Sequence, residues 1–301
     1  MSSLLNKLCG YCEVEVDQPL SKMTTLRIGG NAKYVAYPDT LASFEGLMRV
    51  LRDEGVAWKI FGKGSDILCS DDEYDGVIVR LDKHFHHRYF NGTMLIAEAG
   101  APLVGLASEA MKLSLSGLEF ASGIPGTVGG SVFMNAGAYR SCMADIVSEV
   151  LVYRDGDYCW MNNKDCQFGY RSSIFQSHPS WVVLAAIINL KECPREEISK
   201  LMEERRQRRI NTQPLDKFSC GSVFRNPEND NAWRLIQEIG YRGKKKGDAC
   251  VSEKHCNFIV NEGNATAKDY IELVQEIIVI VQQRFGITLE TEMEMFNWQE
   301  K

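Results

Sequence analysis

Two glycine-rich segments have the composition of anion-binding loops. One is "GKGSDI" at residues 62–67, and the other is "SGIPGTVGGSVFMNAGAY" at residues 122–139. Backbone N–H groups approach a phosphate oxygen closely where side chains are absent, and glycine reaches the φ values that turn successive N–H groups toward one anion. Two such loops are suited to binding one diphosphate.

Tight turns and close packing are the alternative explanation of these glycines. For the short first segment the two explanations have similar weight, whereas the second segment is longer than a turn requires, which favours a ligand. Neither segment has the Gly-Lys-Ser/Thr of a Walker A motif, and the first lacks the third glycine of the dinucleotide-binding fingerprint. The ligand is therefore expected outside a Rossmann fold.

The composition is that of an ordinary globular protein. The chain has 301 residues, 45% of them hydrophobic, and a net charge of −6. This predicts two or three domains and argues against non-specific binding to nucleic acid or to a membrane surface. The N-terminus lacks a long apolar stretch and acidic side chains interrupt residues 271–281, so no membrane segment is expected. Ten cysteines in a chain of this size fit a reducing compartment, which predicts a cytoplasmic protein.

A mixture of helices and strands must position the glycine segments. Apolar residues at helical spacing predict helices after Thr40, from residue 103, near residues 233–239 and over residues 267–285, and Pro194 starts a charged helix. Strand-like runs include "AWKIFG", "GVIVRL", "TMLIAEAG", "IVSEVLVYRDG", "WVVLAAIINLK", "HCNFIVN" and "ITLETEMEMF". Because these elements lack a steady βαβ alternation, the expected fold class is α+β.

Seven motifs, spread over nearly the whole chain, occur in an order that points to one family. They are "TTLRIGG" at Thr24, "GKGSDIL" at Gly62, "GIPGTVGGSVFMNAGAY" at Gly123, "FGYRSSIF" at Phe168, "CGSVFRNP" at Cys220, "SEKHCNFIVN" at Ser252 and "LETEM" at Leu289. On these motifs the sequence resembles the UDP-N-acetylenolpyruvoylglucosamine reductases, also called UDP-N-acetylmuramate dehydrogenases, in the shorter of the family's two forms.

The resemblance implies non-covalent FAD in a two-subdomain fold of the vanillyl-alcohol-oxidase (PCMH) type, followed by a C-terminal α+β substrate domain. The FAD-binding region would comprise residues 1–193, with subdomains of roughly 1–75 and 76–193, and the substrate domain residues 194–301. Asp66 stands where the family usually has asparagine, and we expect it to cap a turn. The residues expected to line FAD are Gly62, Lys63, Gly64, Ser65, Asp66, Ile67, Gly123, Ile124, Pro125, Gly126, Thr127, Gly129, Gly130, Asn135, Ala136 and Gly137.

The implied reaction passes hydride from NADPH to FAD and on to the enolpyruvyl ether of UDP-N-acetylglucosamine enolpyruvate, which gives UDP-N-acetylmuramate for peptidoglycan synthesis. Ser222 matches the family's proton donor, and Arg171 matches the arginine that pairs with the enolpyruvyl carboxylate. Glu292 matches the glutamate that assists protonation. Without the resemblance, a turn serine, a surface arginine and an acidic strand edge would be the ordinary descriptions.

Further residues are expected at the substrate, and "YRGKKKGD" offers cations for the UDP diphosphate, although a solvated lysine loop is the commoner role. The sequence predicts no metal site, because His84, His86 and His87 have no partners at ligand spacing. It also predicts a monomer or weak oligomer. The additional substrate-binding candidates are Tyr170, Arg225, Asn226 and His255.

Two other functions stay open at this point. A same-fold FAD oxidase or dehydrogenase would act on a hydroxyl or sugar substrate; such enzymes often carry a flavin-linking histidine, which neither glycine segment has. A flavin- or nucleotide-sugar-binding regulator would be signalled by the loss of a catalytic candidate, and all three are present. The "CGYC" at Cys9 lacks the βαβ context of a redox motif.

Overall fold

The computed structural model describes residues 3–298, which divide into two compact units. The first unit contains residues up to 16, 34–63 and 76–207, and the second contains residues 17–33, 64–75 and those from 208 onward. Each unit is therefore assembled from separate stretches of the sequence. The sequence-based division at residues 75 and 193 stays a prediction.

Helices and strands alternate irregularly along the described residues. The helices are α1 (Ser3–Cys9), α2 (Leu41–Asp53), α3 (Leu103–Lys112), α4 (Val128–Phe133), α5 (Arg195–Thr212), α6 (Ala232–Glu238) and α7 (Ala267–Phe285). The strands of the first half are β1 (Glu13–Pro19), β2 (Asn31–Tyr37), β3 (Trp58–Phe61), β4 (Ile67–Cys69), β5 (Tyr74–Arg80), β6 (Arg88–Asn91), β7 (Met94–Glu98), β8 (Leu115–Ser116), β9 (Gly137–Ala138) and β10 (Ser141–Cys142). The later strands are β11 (Val147–Arg154), β12 (Asp157–Asn162), β13 (Val182–Asn189), β14 (Lys191–Glu192), β15 (Lys245–Lys246), β16 (Ala249–Val251), β17 (Ile259–Asn261) and β18 (Glu294–Phe296).

An antiparallel sheet in the order β12-β11-β13-β7-β6 forms the centre of the first unit. Its middle strand, β13, has the sequence "VVLAAIIN" and is buried on both faces, with α4 packed against it. A second sheet, in the order β1-β2-β5-β3, contains the parallel pair β3/β5. Helix α2 begins where Thr40 and Ser43 form a capping box, and it buries Phe44 and Leu47 in a separate apolar cluster.

Helix α7 dominates the apolar core of the second unit. It has the predicted bounds, and Tyr270 and Ile277 are fully buried along one face. Thr266 caps its first turn, and the Asp71 carboxylate accepts hydrogen bonds from the N–H groups of Ala267 and Lys268. A three-stranded sheet, β15-β16-β17, and the parallel pair β4/β18 complete this unit.

Two predicted strands are shorter than the sequence indicates. Of "ITLETEMEMF" only β18 is a strand. The chain before it pairs with Phe224 through Thr291 alone, in an isolated bridge. Of "HCNFIVN" only β17 is a strand, since a turn bond from the Phe258 N–H to the His255 carbonyl precedes it. None of the described helices is both long and apolar enough to cross a bilayer.

Candidate active site

The first glycine segment turns sharply between β3 and β4. Gly64 has a φ of 59°, and a Cβ at this position would lie 2.3 Å from the Met23 carbonyl oxygen, so glycine is required by both conformation and space. Within the described residues, the N–H groups of Gly64 and Ser65 donate to no protein acceptor. Two successive N–H groups without protein acceptors fit a phosphate of FAD.

Lys63, in the same segment, faces an acidic side chain. Its Nζ atom lies 3.6 Å from Oδ2 of Asp82, and Arg80 binds this carboxylate with hydrogen bonds of 2.9 and 2.6 Å. Burial acts to raise the pKa of Asp82, but the hydrogen bonds and charge of Arg80 outweigh it, so the pKa lies below its ordinary value. The carboxylate is therefore a fixed negative partner for Lys63.

Gly62 and Thr127 bring the two glycine segments together within the first unit. An ideal Cβ at Gly62 would lie 2.7 Å from the Thr127 hydroxyl oxygen. The same hydroxyl accepts a hydrogen bond of 3.3 Å from the Gly130 N–H and so caps α4. The two glycine segments therefore lie next to each other here, and a side chain at residue 62 would collide with the Thr127 hydroxyl.

Close packing explains part of the glycine content of the second segment. A Cβ at Gly129 would lie 2.9 Å from the Cβ of Ala99, and the N–H groups of Val128 and Gly129 already donate to the carbonyl oxygens of Ala101 and Ala99. These two N–H groups are occupied by the protein itself. The buried Ser131 hydroxyl, by contrast, has no hydrogen-bond partner among the described residues, which fits a polar ligand group at this segment.

Arg171 lies in a turn that is hydrogen-bonded to the second glycine segment. Its Nη2 atom donates to the Gly137 carbonyl oxygen at 2.7 Å, and its own carbonyl oxygen accepts a bond of 3.1 Å from Nε2 of Gln176. The guanidinium lies 5.1 Å from the ring centre of Tyr170, whose side chain is 56% exposed. The first unit therefore joins the predicted carboxylate-binding arginine to the predicted flavin loop.

The Asn135 side chain fastens this turn from the other side. Its Nδ2 donates to the Gly169 carbonyl oxygen at 2.7 Å, and its Oδ1 accepts from the Ala144 N–H at 2.9 Å. Asn135 is buried, with 4% of its surface exposed. Asn135 thus helps to hold the Arg171 turn, in addition to the FAD contact expected from the sequence.

Thr25 links Gly64 of the first glycine segment to the Ser222 segment within the second unit. Its N–H donates to the Gly64 carbonyl oxygen at 3.1 Å, and its hydroxyl donates to the Ser219 carbonyl oxygen at 2.7 Å. Ser222 follows three residues later. Its side chain is partly exposed and makes no hydrogen bond to a described residue.

Glu292 lies on the chain that pairs with the Ser222 segment. Its N–H donates to the Val223 carbonyl oxygen at 2.8 Å, and the Arg225 N–H donates to the Glu290 carbonyl oxygen at 2.9 Å. The Nη1 atom of Arg225 lies 3.9 Å from the Glu290 carboxylate. These bonds bring together the backbones that carry Ser222, Arg225 and Glu292.

Two other substrate-binding candidates accept hydrogen bonds from backbone N–H groups of the second unit. The side-chain oxygen of Asn226 accepts from the Ala232 N–H at 3.1 Å, at the start of α6. Nδ1 of His255 accepts from the Asn257 N–H at 3.3 Å. Burial, with the charge of Arg242, lowers the pKa of His255, which favours the neutral imidazole.

The cations of "YRGKKKGD" are largely paired with protein groups. Arg242 binds the carbonyl oxygen of Glu253, Lys245 pairs with Glu262, and Lys246 pairs with Glu276. Such pairs are typical of a charged surface loop, which is the commoner role expected from the sequence.

A buried polar cluster lies beneath the Ser222 segment. The Sγ atom of Cys220 lies 3.2 Å from the Tyr270 hydroxyl and 3.8 Å from the sulfur of Met293. Burial raises the pKa of the Cys220 thiol to about 12 and also raises that of Tyr270, and the negative charge of Asp66 adds to both shifts. Asp66, the departure from the family pattern, therefore interacts with this cluster inside the second unit.

The cysteines and histidines of the sequence are the remaining chemical candidates. All ten cysteines are free thiols, and burial raises the pKa of Cys12 to about 11, which is unlike a reactive redox thiol. Residues 3–298 contain no group of three or more histidine, cysteine or acidic side chains arranged to hold a metal ion.

Comparisons with known proteins agree with this arrangement. A family model for the C-terminal domain of UDP-N-acetylenolpyruvoylglucosamine reductase matches residues 213–296, and a model for an FAD binding domain matches residues 32–162. The UDP-N-acetylenolpyruvoylglucosamine reductase of Bacillus licheniformis is 38% identical over 282 residues, 93% of each chain. The reductase of Clostridioides difficile is 39% identical over 286 residues, 95% of this chain and 94% of that one.

Solved structures give the same result. The UDP-N-acetylenolpyruvylglucosamine reductase of Thermus caldophilus superposes with a TM-score of 0.81 at 36% identity, over 95% of this chain and 98% of that one. The glucose dehydrogenase Phl p 4.0202 has a TM-score of 0.50 at 17% identity over 64% of this chain and 45% of that one, which reflects a shared fold alone.

The fold and the glycine segments define a protein with an FAD binding domain, in a fold that it shares with the glucose dehydrogenase. More particularly, the chain belongs to the UDP-N-acetylenolpyruvoylglucosamine reductase family. The predicted family, fold class and FAD cofactor are confirmed, and the oxidase alternative is not favoured.

Proposed function

We propose that this chain uses NADPH to reduce the enolpyruvyl ether of UDP-N-acetylglucosamine enolpyruvate, which gives UDP-N-acetylmuramate for peptidoglycan synthesis. FAD, when bound, carries the hydride between NADPH and the substrate. The observation that best supports the proposal is the cluster in the second unit, where Thr25 links Gly64 to Ser219 and Glu292 binds the carbonyl of Val223. A flavin loop and two predicted catalytic residues thus share one small region.

The protein must supply a proton, because hydride alone adds to one carbon of the double bond and leaves a carbanion on the other. Ser222 is our candidate donor: its hydroxyl makes no hydrogen bond to a described residue, and its backbone segment is fixed. Glu292, on the paired chain, assists by hydrogen bonding as negative charge develops. Positioning of the hydroxyl decides its efficiency, since a serine is a weak acid.

Arg171 binds the carboxylate of the enolpyruvyl group in this proposal. A planar guanidinium suits the two oxygens of a carboxylate, and the bond from Nη2 to the Gly137 carbonyl oxygen sets the orientation of that plane. Tyr170, Arg225, Asn226 and His255 are further candidates for contacts to the substrate. The Gly64 and Ser65 N–H groups and the second glycine segment are the candidates for holding FAD.

The proposal also covers the compartment, the partners and the oligomeric state of the protein. Ten free thiols fit a reducing compartment, so we place the protein in the cytoplasm, and its net charge of −6 disfavours nucleic acid as a partner. We propose a monomer or weak oligomer as the active form. Sedimentation velocity at several protein concentrations tests the oligomeric state.

An anaerobic visible spectrum tests the central claim. The purified protein should show a flavin band that bleaches with NADPH and returns when UDP-N-acetylglucosamine enolpyruvate is added, while UDP-N-acetylglucosamine, which lacks the double bond, leaves it bleached. A band that stays bleached with the enolpyruvyl compound would rule out the proposed acceptor. A protein that cannot be reconstituted with FAD would rule out the proposed reaction altogether.

A further inference from the structure

Asn257, in the second unit, holds the backbone next to Ser222 with both ends of its side chain. Its Oδ1 accepts from the Phe224 N–H at 3.0 Å, and its Nδ2 donates to the Phe224 carbonyl oxygen at 2.8 Å. Its own carbonyl oxygen accepts from the Val223 N–H at 2.9 Å. Asn257 is 4% exposed, so these bonds are shielded from competition with water.

The opposite edge of the same segment is bound to the Glu292 chain. The Val223 carbonyl oxygen accepts from the Glu292 N–H, and the Arg225 N–H donates to the Glu290 carbonyl oxygen. Val223 and Phe224 therefore have every backbone N–H and C=O group paired, and both side chains are buried. The two residues that follow Ser222 have little freedom to move.

The chain before Ser222 is held through the buried side chain of Cys220, which contacts the Tyr270 hydroxyl. Gly221 has a φ of 84°, and a Cβ added there would meet no atom within 4 Å. The backbone hydrogen bonds next to Ser222 lie on its C-terminal side. That side is held between the Asn257 amide and the Glu292 backbone.

We propose that Asn257 is a positioning residue for proton delivery by Ser222, an inference that rests on the proposed function. Only a side-chain amide of this length offers a donor and an acceptor to the two backbone groups of one residue. Aspartate keeps the acceptor but loses the donor, and serine is too short to reach both groups. Because a displacement of about 1 Å costs on the order of 100-fold in rate, loosening this clamp slows protonation of the substrate.

The test measures the two half-reactions separately by anaerobic stopped flow on FAD-loaded protein. In Asn257→Ser, bleaching of the flavin by NADPH should stay within about twofold of wild type, while its reoxidation by the enolpyruvyl substrate should slow by about 100-fold. Asn257→Asp, which keeps the acceptor but sets a carboxylate oxygen against the Phe224 carbonyl oxygen, should slow reoxidation at least as much. This second variant also serves if Asn257→Ser does not fold.

Asn261 provides a matched control. It is another buried asparagine of the same unit, and its side chain bonds the Leu26 carbonyl oxygen and the N–H groups of Gly263 and Ala265. Asn261→Ser should lower the melting temperature to a similar degree without separating the two half-reactions. Equal slowing of both half-reactions in Asn257→Ser would overturn the positioning role.

A double variant separates failure of this inference from failure of the proposed function. If Asn257 acts through Ser222, adding Asn257→Ser to Ser222→Ala should lower the reoxidation rate by less than about twofold more. If the losses in reoxidation rate of the two single variants multiply in the double variant, Asn257 acts independently of Ser222. That result would overturn this inference and leave the proposed function standing. A Ser222→Ala variant that reoxidises at the wild-type rate would instead remove Ser222 from the proposed function, and the inference with it.

Discussion

The Nη2 atom of Arg171 lies 2.7 Å from the carbonyl oxygen of Gly137, and this hydrogen bond joins the predicted carboxylate-binding residue to the predicted flavin loop. The turn that carries Arg171 is further held by Gln176 and Asn135. A guanidinium anchored through one nitrogen presents a defined plane to a carboxylate. The arrangement explains why arginine rather than lysine suits this position.

Arg171→Lys should therefore impair binding of the enolpyruvyl substrate. An ammonium cannot keep the bond to Gly137 and form two parallel bonds to a carboxylate, so we expect kcat/KM to fall by roughly 10- to 100-fold, or about 1.5–3 kcal/mol. The rate of flavin bleaching by NADPH should not change. Steady-state kinetics and stopped flow measure both values, and Arg140→Lys, at an exposed arginine of the same unit, is the control.

Ser222→Ala should keep FAD and its reduction by NADPH but lose proton delivery. Removal of a general acid typically costs about 10²- to 10⁴-fold, and the loss should appear only in the reoxidation of the flavin by substrate. Stopped-flow absorbance follows this step. Ser219→Ala is the control, because the bond from Thr25 uses the Ser219 carbonyl and survives the substitution. Undiminished reoxidation in Ser222→Ala would contradict its assignment.

Gly64→Ala should destabilise the protein more than an otherwise similar substitution. Its Cβ would meet the Met23 carbonyl oxygen at 2.3 Å, whereas Gly92, with a nearly equal φ of 57°, has no atom within 4 Å of the same position. Gly92→Ala should lower the free energy of unfolding only by the cost of placing alanine in a left-handed conformation, roughly 1–2 kcal/mol. Urea denaturation and the ratio of flavin to protein absorbance compare the two variants. Equal losses would show that the close contact at Gly64 is unimportant.

Local patterns in the sequence predicted much of the fold. The bounds of α7 follow from Thr266, which caps its start, and from Gly286, whose φ of 70° ends it, so both ends are encoded within the helix's own neighbourhood. The strands over residues 255–261 and 287–296 were predicted too long. Their hydrogen bonds depend on a turn and on Phe224, a residue distant in sequence, which period-2 alternation does not reveal.

The candidate site residues follow mainly from the family motifs, and their roles stay predictions. Nothing in the composition around Ser222 distinguishes it from a turn serine, and the structure adds that its segment pairs with the Glu292 chain. Asn257 lies within the motif "SEKHCNFIVN" but carries no signal of its own, because its partner Phe224 is 33 residues away. Ser131 likewise gave no signal, since a lone serine in a glycine-rich loop is ordinary.

Cys12→Ser should leave both half-reactions within about twofold of wild type. Burial raises the pKa of Cys12 to about 11, so roughly one part in ten thousand is thiolate at pH 7. We expect the exposed Cys9 to be alkylated by iodoacetamide before Cys12, which mass spectrometry of peptides can follow over time. Preferential labelling of Cys12, or lost activity in the variant, would revive a redox role for this motif.

His255 should make stability depend on pH below neutrality. Burial and the charge of Arg242 lower its pKa from the ordinary value of 6.5, so the unfolded chain takes up a proton where the folded protein does not. The stabilisation is fully present above about pH 6.5 and is lost as the pH falls through the folded-state pKa. Melting temperatures measured from about pH 7.5 to 5.5 should therefore decline.

His255→Asn should flatten this decline, because the asparagine oxygen replaces Nδ1 as the acceptor for the Asn257 N–H but does not titrate. His87→Asn, at a side chain that is 80% exposed, is the matched control and should retain the wild-type slope. Parallel curves for His255→Asn and wild type would assign the acid sensitivity to carboxylates. The difference between the two histidine variants reports the surroundings of His255, namely its burial and the charge of Arg242, since both variants lose one imidazole and gain the same side chain.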